Sequence, residues 1–192
     1  KISTLLPDSI LASKVQSACS LKRGINSLLL SPNPLSFFTS AEINQQLCVE
    51  FSKLFKLVDG KEVAIATQCV INAKDDSEQI KTAVNSILAH SVLAEEIQQA
   101  LSFNEQLKKM LVTKAPAPFF TDVDIDQCNK FAALLEHQLS GHEQQIGEQL
   151  ATLDAETRSK IGRTLETITP AAHTQQQCVR KIAEVMQCTV ES

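Results

Sequence analysis

Ser31 to Cys48 reads SPNPLSFFTSAEINQQLC, and Ala115 to Cys128 reads APAPFFTDVDIDQC. Both write Pro-x-Pro, then Phe-Phe-Thr, then an acid, an Ile, a Gln and a Cys. Proline removes a backbone donor and biases the residue before it away from helix, so each Pro-x-Pro is expected to stop the helix that precedes it. The Phe pair then stands where it can staple the start of the next helix, N-terminal to a cap at Thr39 or Thr121. Punctuation written twice in one order predicts a duplicated helical unit.

Hydrophobic periodicity on either side of these stretches gives the same reading. Asp8 after Pro7 caps a first helix, along which Leu11, Val15, Ala18, Ile25 and Leu29 recur at helical spacing as far as Leu30. Thr39 with Glu42 writes a capping box, followed by the stripe Ile43, Leu47, Phe51, Leu54, Phe55 and Val58, which stops at Asp59-Gly60. Lys61 to Ala73 is expected to be helical with Val63, Thr67 and Val70 on one face, although Val63 to Thr67 also fits a strand; Asp75 or Asp76 starts the next helix through Leu88, and Leu93 to Val112 carries another. In the second half Thr121 caps the stripe Ile125, Cys128, Phe131, Leu135 and Leu139, and Ser140 with Glu143 writes a second capping box. A shift of 81 positions lays Ile65 on Ile146, Gln68 on Gln149, Ile80 on Ile161, Val84 on Leu165 and Ile87 on Ile168. Thr169 and Pro170 begin a last helix through Val179, Ile182 and Val185.

These patterns predict an all-α protein of about eight to nine helices in two pseudo-repeat lobes, stapled by disulfides. Residues 1–30 form an N-terminal helix, 31–112 a first lobe, and 113–192 a second lobe repeating it. A unit of about 80 residues buries little more than 60% of its unfolded surface, so two such lobes are expected to face one another or be stapled.

Composition bounds the function. The chain has 192 residues, eight Phe, no Trp and no Tyr, so any core is aliphatic with Phe. A net charge of -4 with eighteen scattered Lys and Arg supplies no cationic stripe for a phosphate backbone, which excludes nucleic acid as the expected partner. No apolar run approaches the roughly 20 residues of a membrane span. The six cysteines, Cys19, Cys48, Cys69, Cys128, Cys178 and Cys188, are even in number and lack C-x-x-C spacing. They predict a disulfide framework in an oxidising compartment rather than a zinc or redox site. One pairing is disfavoured: on a continuous helix Cys178 and Cys188 would lie roughly 15 Å apart, beyond disulfide reach. The Lys-Ile-Ser start fits a secreted, extracellular protein after signal removal.

Catalytic and metal-binding patterns fail where the chemistry is decided. Asp122-Val-Asp124-Ile-Asp126 opens like a calcium loop but has Gln127 for the turn glycine and Ala133 for the bidentate Glu, so the acids are read as helix-start residues. His142-Glu143 lacks the second His of H-E-x-x-H, and His90, His137 and His173 are isolated. No catalytic residue, metal or cofactor is expected. Gln45-Gln46, Gln98-Gln99, Gln144-Gln145 and Gln175 to Gln177 lie opposite the apolar stripes, giving uncharged polar faces suited to helices at an interface.

Cys19-Ser-Leu-Lys-Arg-Gly-Ile-Asn-Ser-Leu-Leu-Leu-Ser-Pro-Asn-Pro34 and Gln68-Cys-Val-Ile-Asn-Ala-Lys-Asp-Asp-Ser-Glu78 resemble secretoglobins of the cat-allergen type. The shared features are a Cys-led first helix ending before Pro, and Cys-Val followed by Ala-Lys and an acidic helix start. The resemblance implies a secreted helical chain, disulfide-linked around a cavity for a hydrophobic ligand, with Cys178 near the closing cysteine of that family. The segment joining the two pieces is longer here, and two units would be fused. In general character, a two-lobed helical chain with many cysteines is also similar to the surfactant proteins of amphibian foam nests, the ranaspumins.

The function expected from sequence is therefore a secreted, non-enzymatic, monomeric protein acting through apolar surface at an air-water or lipid interface. Phe37, Phe38, Phe51, Phe55, Phe119, Phe120 and Phe131 are the candidate apolar residues. The alternatives are a carrier of a small hydrophobic ligand, and an intracellular interaction module or effector fragment with reduced cysteines.

Overall fold

In a computed structural model, residues 10–73, 76–168 and 180 are described, and among them every regular element is a helix. The helices are α1 (Ile10–Leu30), α2 (Leu35–Phe38), α3 (Gln45–Glu50), a 3₁₀ helix (Ser52–Val58), α4 (Glu62–Ala73) and α5 (Ser77–Leu88). They continue with α6 (Val92–Thr113), α7 (Pro116–Asp122), α8 (Ile125–Lys130), α9 (Ala132–Leu139), α10 (Glu143–Ala151) and α11 (Ala155–Thr167). The cap at Asp8, the helix expected after Thr169, Cys178 and Cys188 lie outside the described residues. The chain divides into two compact units, Lys1–Gln99 and Ala100–Ser192, with α6 beginning in the first and ending in the second.

The all-helical class stands, but the described residues alone carry twelve helices instead of eight or nine. Two stripes expected to be continuous are broken, at Phe51 (φ -114°, ψ 33°) and Phe131 (φ -108°, ψ 33°). Each Phe amide still donates back into the preceding turn, Phe51 to Leu47 O at 3.1 Å and Phe131 to Gln127 O at 3.0 Å. The chain then turns there and starts a new helix.

The caps also differ from expectation. Pro34 and Pro116 do not merely end a helix; each starts a short one that contains the Phe pair, Pro34 as its cap and Pro116 in its first turn. Proline suits such positions because its fixed φ matches a helix start and its missing N–H would be unsatisfied there. Thr39 and Thr121 stand at the far ends of these short helices, their hydroxyls donating back to Leu35 O (3.3 Å) and Pro118 O (3.2 Å). The caps that follow are Asn44, whose Oδ1 accepts from Leu47 N at 2.9 Å, and Asp124, whose Oδ1 accepts from Asp126 N at 2.9 Å. Asn and Asp make this contact more readily than Thr. Ser140 is likewise a helix end, and His142 precedes α10 without a side-chain cap.

In the first unit, α1 buries Leu21, Ile25 and Leu28 and comes close to Phe37 at Gly24. A Cβ on Gly24 would lie 3.1 Å from Ile43 Cδ1 and 3.2 Å from the Phe37 ring. Phe37 meets Phe38 edge-on at 5.3 Å and Phe55 at 6.3 Å. The turn Ser31 to Pro34 is tied down by Asn72 of α4, whose Nδ2 donates to Pro32 O while Gln68 donates to Asn72 Oδ1 at 2.9 Å.

In the second unit, Phe119 and Phe120 meet edge-on at 5.1 Å, and Phe103 packs on Phe119 at 6.3 Å and on Phe131 at 5.7 Å. Buried Asn104 accepts a hydrogen bond from Gln138 at 2.6 Å. Arg158 closes the end of α10, donating to Ala151 O at 2.8 Å and Leu153 O at 2.7 Å. The Asp154 carboxylate, accepting from Thr157 N and Oγ1, is held below the usual carboxylate range by those bonds.

Features recur in the same order along both units. Asp59 (φ -51°, ψ 128°) and Ser140 (φ -57°, ψ 122°) precede Gly60 (φ 77°) and Gly141 (φ 84°). Ile65 and Ile146, Ile80 and Ile161, Val84 and Leu165, and Ile87 and Ile168 are all buried. Between the Phe breaks and these glycines the second unit has one more residue, and its segment is α-helical where the first unit is 3₁₀. Only glycine adopts that left-handed turn without a Cβ penalty, and nothing would touch a Cβ at either position within 4 Å. Gly60→Ala and Gly141→Ala are therefore each expected to cost about 1–2 kcal/mol, and by similar amounts. A shift in the urea midpoint at one site and none at the other would show that the turns are not equivalent.

Candidate functional site

The residues picked out from sequence are mostly structural. Phe37, Phe38, Phe120 and Phe131 are buried, and Phe51, Phe55 and Phe119 are half-buried. Each Phe pair packs edge-on within its own unit. Asp124 caps α8, with Asp126 in that helix's first turn and Asp122 at the end of α7. His90, His137 and His142 are exposed. Among the described residues no three His, Cys, Asp or Glu side chains assemble as a metal would require. No described helix is long and apolar enough to cross a membrane.

The disulfide staples are not present among the described residues: Cys19, Cys48, Cys69 and Cys128 are free thiols. Cys48, Cys69 and Cys128 are used instead as small buried apolar groups on α3, α4 and α8. Burial pushes the Cys48 thiol up to about 11 and the Cys69 and Cys128 thiols up to about 12, with the Asp124 carboxylate adding to the rise at Cys128. Such thiols stay protonated at neutral pH, so none is activated as a nucleophile or metal ligand.

The first unit does open one sizeable apolar cleft. It has a volume of about 360 Å³ and lies between the α3–3₁₀ segment and the turn joining α5 to α6. Cys48, Phe55, Val58, Ile87, Leu88 and Leu93 supply its apolar lining. Its lips are Val49 and Val92, which expose 69% and 61% of their surface. Lys56, Asp59 and Glu62 add charged groups of both signs around it. The helix break at Phe51 falls between the two segments that form one side of the cleft, with Cys48 and Val49 before it and Ser52, Phe55, Lys56 and Val58 after it.

Sequence reading passed over Val49 and Val92. The available signal was their place off the periodic stripe: Val49 follows Cys48 on the face that Gln45, Gln46 and Glu50 mark as solvent, and Val92 precedes the stripe of α6. A large aliphatic residue where the pattern calls for a polar one is the mark of a surface with a use.

No protein-family profile and no curated protein matches the sequence. Among solved structures, the chain is similar to a surface-entropy-reduction variant of RavA (lpp0008), with a TM-score of 0.79 and 37% identity over 90% of this chain. The match takes in 54% of the RavA chain, so the present chain spans about half the length of that solved protein.

Proposed function

We propose that this chain is a non-enzymatic helical interaction module built from two copies of one six-helix unit, and that the cleft of the first unit receives the apolar face of a partner protein's helix. The observation that carries this reading is the pair of exposed valines over an aliphatic floor. The cleft is open, and its volume accommodates a few side chains presented at i, i+3 and i+4, as in helix-in-groove recognition. Charges of both signs at its edge, Lys56 against Asp59 and Glu62, suit a peptide better than an anionic lipid, whose headgroup would meet two acids.

The duplication is supported by the paired breaks, left-handed glycines and buried isoleucines. Cys48, Cys69 and Cys128, buried as separate thiols, suit a reducing compartment. Action at an air-water or lipid boundary would draw Phe37, Phe38, Phe120 and Phe131 out of the core, at about 1.5–3 kcal/mol for each side chain. The cleft offers apolar surface with no such opening, which favours docking.

The test uses a designed amphipathic Leu/Lys/Glu helix, labelled for fluorescence anisotropy, and a fluorescent fatty acid as the competing probe. The helix should bind saturably, and Val49→Asp and Val92→Asp, both at exposed positions, should each weaken it at least tenfold without changing the circular dichroism. Equal binding by both variants would end the cleft reading. Saturable binding of the fatty acid alone would replace the protein partner with the small hydrophobic ligand that the secretoglobin resemblance implies.

A further inference from the structure

All the charge that lines the cleft of the first unit comes from one wall. Lys56, Asp59 and Glu62 follow one another from the 3₁₀ helix into the first turn of α4, whereas the lining residues between Ile87 and Leu93 contribute none. Two acids against one amine leave that wall net negative. Lys53 and Lys61 are exposed nearby in sequence but do not line the cleft. Among the described residues neither the Asp59 nor the Glu62 carboxylate takes an ion pair or a side-chain hydrogen bond, unlike Glu50, which pairs with Lys14 at 3.2 Å, and Glu78, which pairs with Lys81 at 2.9 Å. The fold does not require the acid at position 59. Ser140 makes the corresponding turn of the second unit at nearly the same backbone angles, φ -57° and ψ 122° against φ -51° and ψ 128°, and each is followed by a left-handed glycine. Lip and acid also occur together: the residue after Cys128 is Asn129, where the residue after Cys48 is the lip Val49. Glu62 differs, because the helix dipole favours an acid in a first turn and Glu143 fills the same place in α10.

We propose that the cleft selects a helix carrying basic residues beside its apolar anchors, and that Asp59, assisted by Glu62, is the side chain that sets this specificity. The inference rests on the cleft reading above and adds the charge of the partner. A helix whose anchors at i, i+3 and i+4 enter the aliphatic floor has its flanking positions along the walls. Lys or Arg on the flank beside Asp59 and Glu62 gives two unpaired carboxylates a counter-charge. Asp or Glu on that flank faces two like charges at an edge partly screened from water, which rejects the wrong partner as much as it rewards the right one. Lys56 offers a single amine to an acid, so the favoured flank is basic on balance. Glu95, exposed one turn along α6 from the lip Val92, adds to the same preference. Charges at a solvent-accessible edge contribute discrimination more than affinity, and salt weakens them.

The experiment titrates the full chain against three labelled helices of one length and one leucine spacing, whose flanks are all Lys, all Glu or all Gln, with fluorescence anisotropy as the readout. At low ionic strength the Lys-flanked helix should bind about three- to tenfold more tightly than the Glu-flanked one, with the Gln-flanked helix between them. The ratio should fall towards one in 1 M salt, where the screening length is about 3 Å. Asp59→Ser, which installs the side chain that the second unit uses in the same turn, should keep the circular dichroism and lower the Lys-to-Glu ratio. Adding Glu62→Gln should bring the two helices within about twofold of each other, while Lys56→Gln should widen the gap. Equal binding of the Lys- and Glu-flanked helices, tighter binding of the Glu-flanked one, or a ratio that the Asp59→Ser, Glu62→Gln variant leaves unchanged overturns the proposal. The Gln-flanked helix separates that failure from failure of the cleft itself: if it binds and Val49→Asp weakens it, the cleft stands and only the charge preference is lost. If none of the three helices binds, both readings fall.

Discussion

Phe131→Ala should cost about 3–5 kcal/mol of stability, the largest effect expected of any single substitution here. Phe131 is fully buried, and it stands at the joint where α8 ends and α9 begins. Its ring lies against Phe103 at 5.7 Å, Phe103 in turn against Phe119 at 6.3 Å, and the Lys130 amine sits 5.4 Å above its centre. Truncation removes the transfer free energy of the ring and leaves a cavity that two helices must collapse into. It also removes the aromatic contacts, each worth about 0.5–1.5 kcal/mol beyond area. Phe51 holds the corresponding joint of the first unit but is half-buried, so Phe51→Ala should cost roughly half as much. Urea denaturation read by circular dichroism would measure both. A cost for Phe131→Ala below about 1.5 kcal/mol, or equal costs at the two joints, would mean that the second unit is not organised around this ring.

The second large effect is alkaline unfolding driven by thiols. Unfolded cysteine titrates at its ordinary 9.0, whereas Cys48 is raised to about 11 and Cys69 and Cys128 to about 12 by burial. A raised folded-state value means that the unfolded chain gives up these protons first. The stability the thiols contribute is therefore fully present below pH 9 and is lost as pH rises through the folded values. Complete loss has an upper bound on the order of 3 kcal/mol for Cys48 and on the order of 4 kcal/mol for Cys69 and for Cys128, reduced at Cys48 and Cys128 by solvent screening. Against a typical total of about 5–15 kcal/mol, a loss of that order is a large share of the stability. Between pH 9 and 11 the unfolding free energy should fall by about 3 kcal/mol per pH unit on average through these thiols.

The composition makes this readable. With no Tyr and no Trp, the ultraviolet absorbance of thiolate is not overlaid by ionised tyrosine. The buried thiols should ionise together with loss of helix. The variant Cys48→Ala, Cys69→Ala, Cys128→Ala should be less stable at pH 7 and yet lose stability with pH less steeply. A slope unchanged in that variant would assign the alkaline loss to other groups. The same experiment run without reductant reports whether any cysteine pairs, since a disulfide does not titrate.

How much of this was legible in the sequence differs from element to element. The helix end at Leu30, the long helix within a residue of Val112 and the helix from about Lys61 to Ala73 were readable, as was the apolar side to which Ile65, Ile146, Ile87 and Ile168 belong. All depend on local rules, namely proline geometry and 3.6-residue periodicity, which act within a few residues of chain. Periodicity also marked which side of each helix is apolar. The caps were misread because Thr39 and Thr121 satisfy the capping pattern in sequence, whereas Asn44 and Asp124 offer better acceptors one turn later; that choice is settled by where the short Phe helices end.

The breaks at Phe51 and Phe131 needed tertiary structure: nothing local stops a helix at a phenylalanine, and at Phe131 the ring is wholly buried against Phe103. The cleft lies beside the first of those breaks, and its lips at Val49 and Val92 looked in sequence like stray surface valines. Cysteines gave the widest gap between sequence and structure. Six of them are compatible with staples or with small core residues, since composition carries no distances, and only the packing placed Cys48, Cys69 and Cys128 as separate buried thiols. Tertiary structure also separated two stripes that are nearly the same in sequence: Leu93 to Leu101 lies buried, while Leu11 to Cys19 keeps its apolar surface in water. Burial is decided by what else is folded beside a helix, and a helix's own residues do not contain that information.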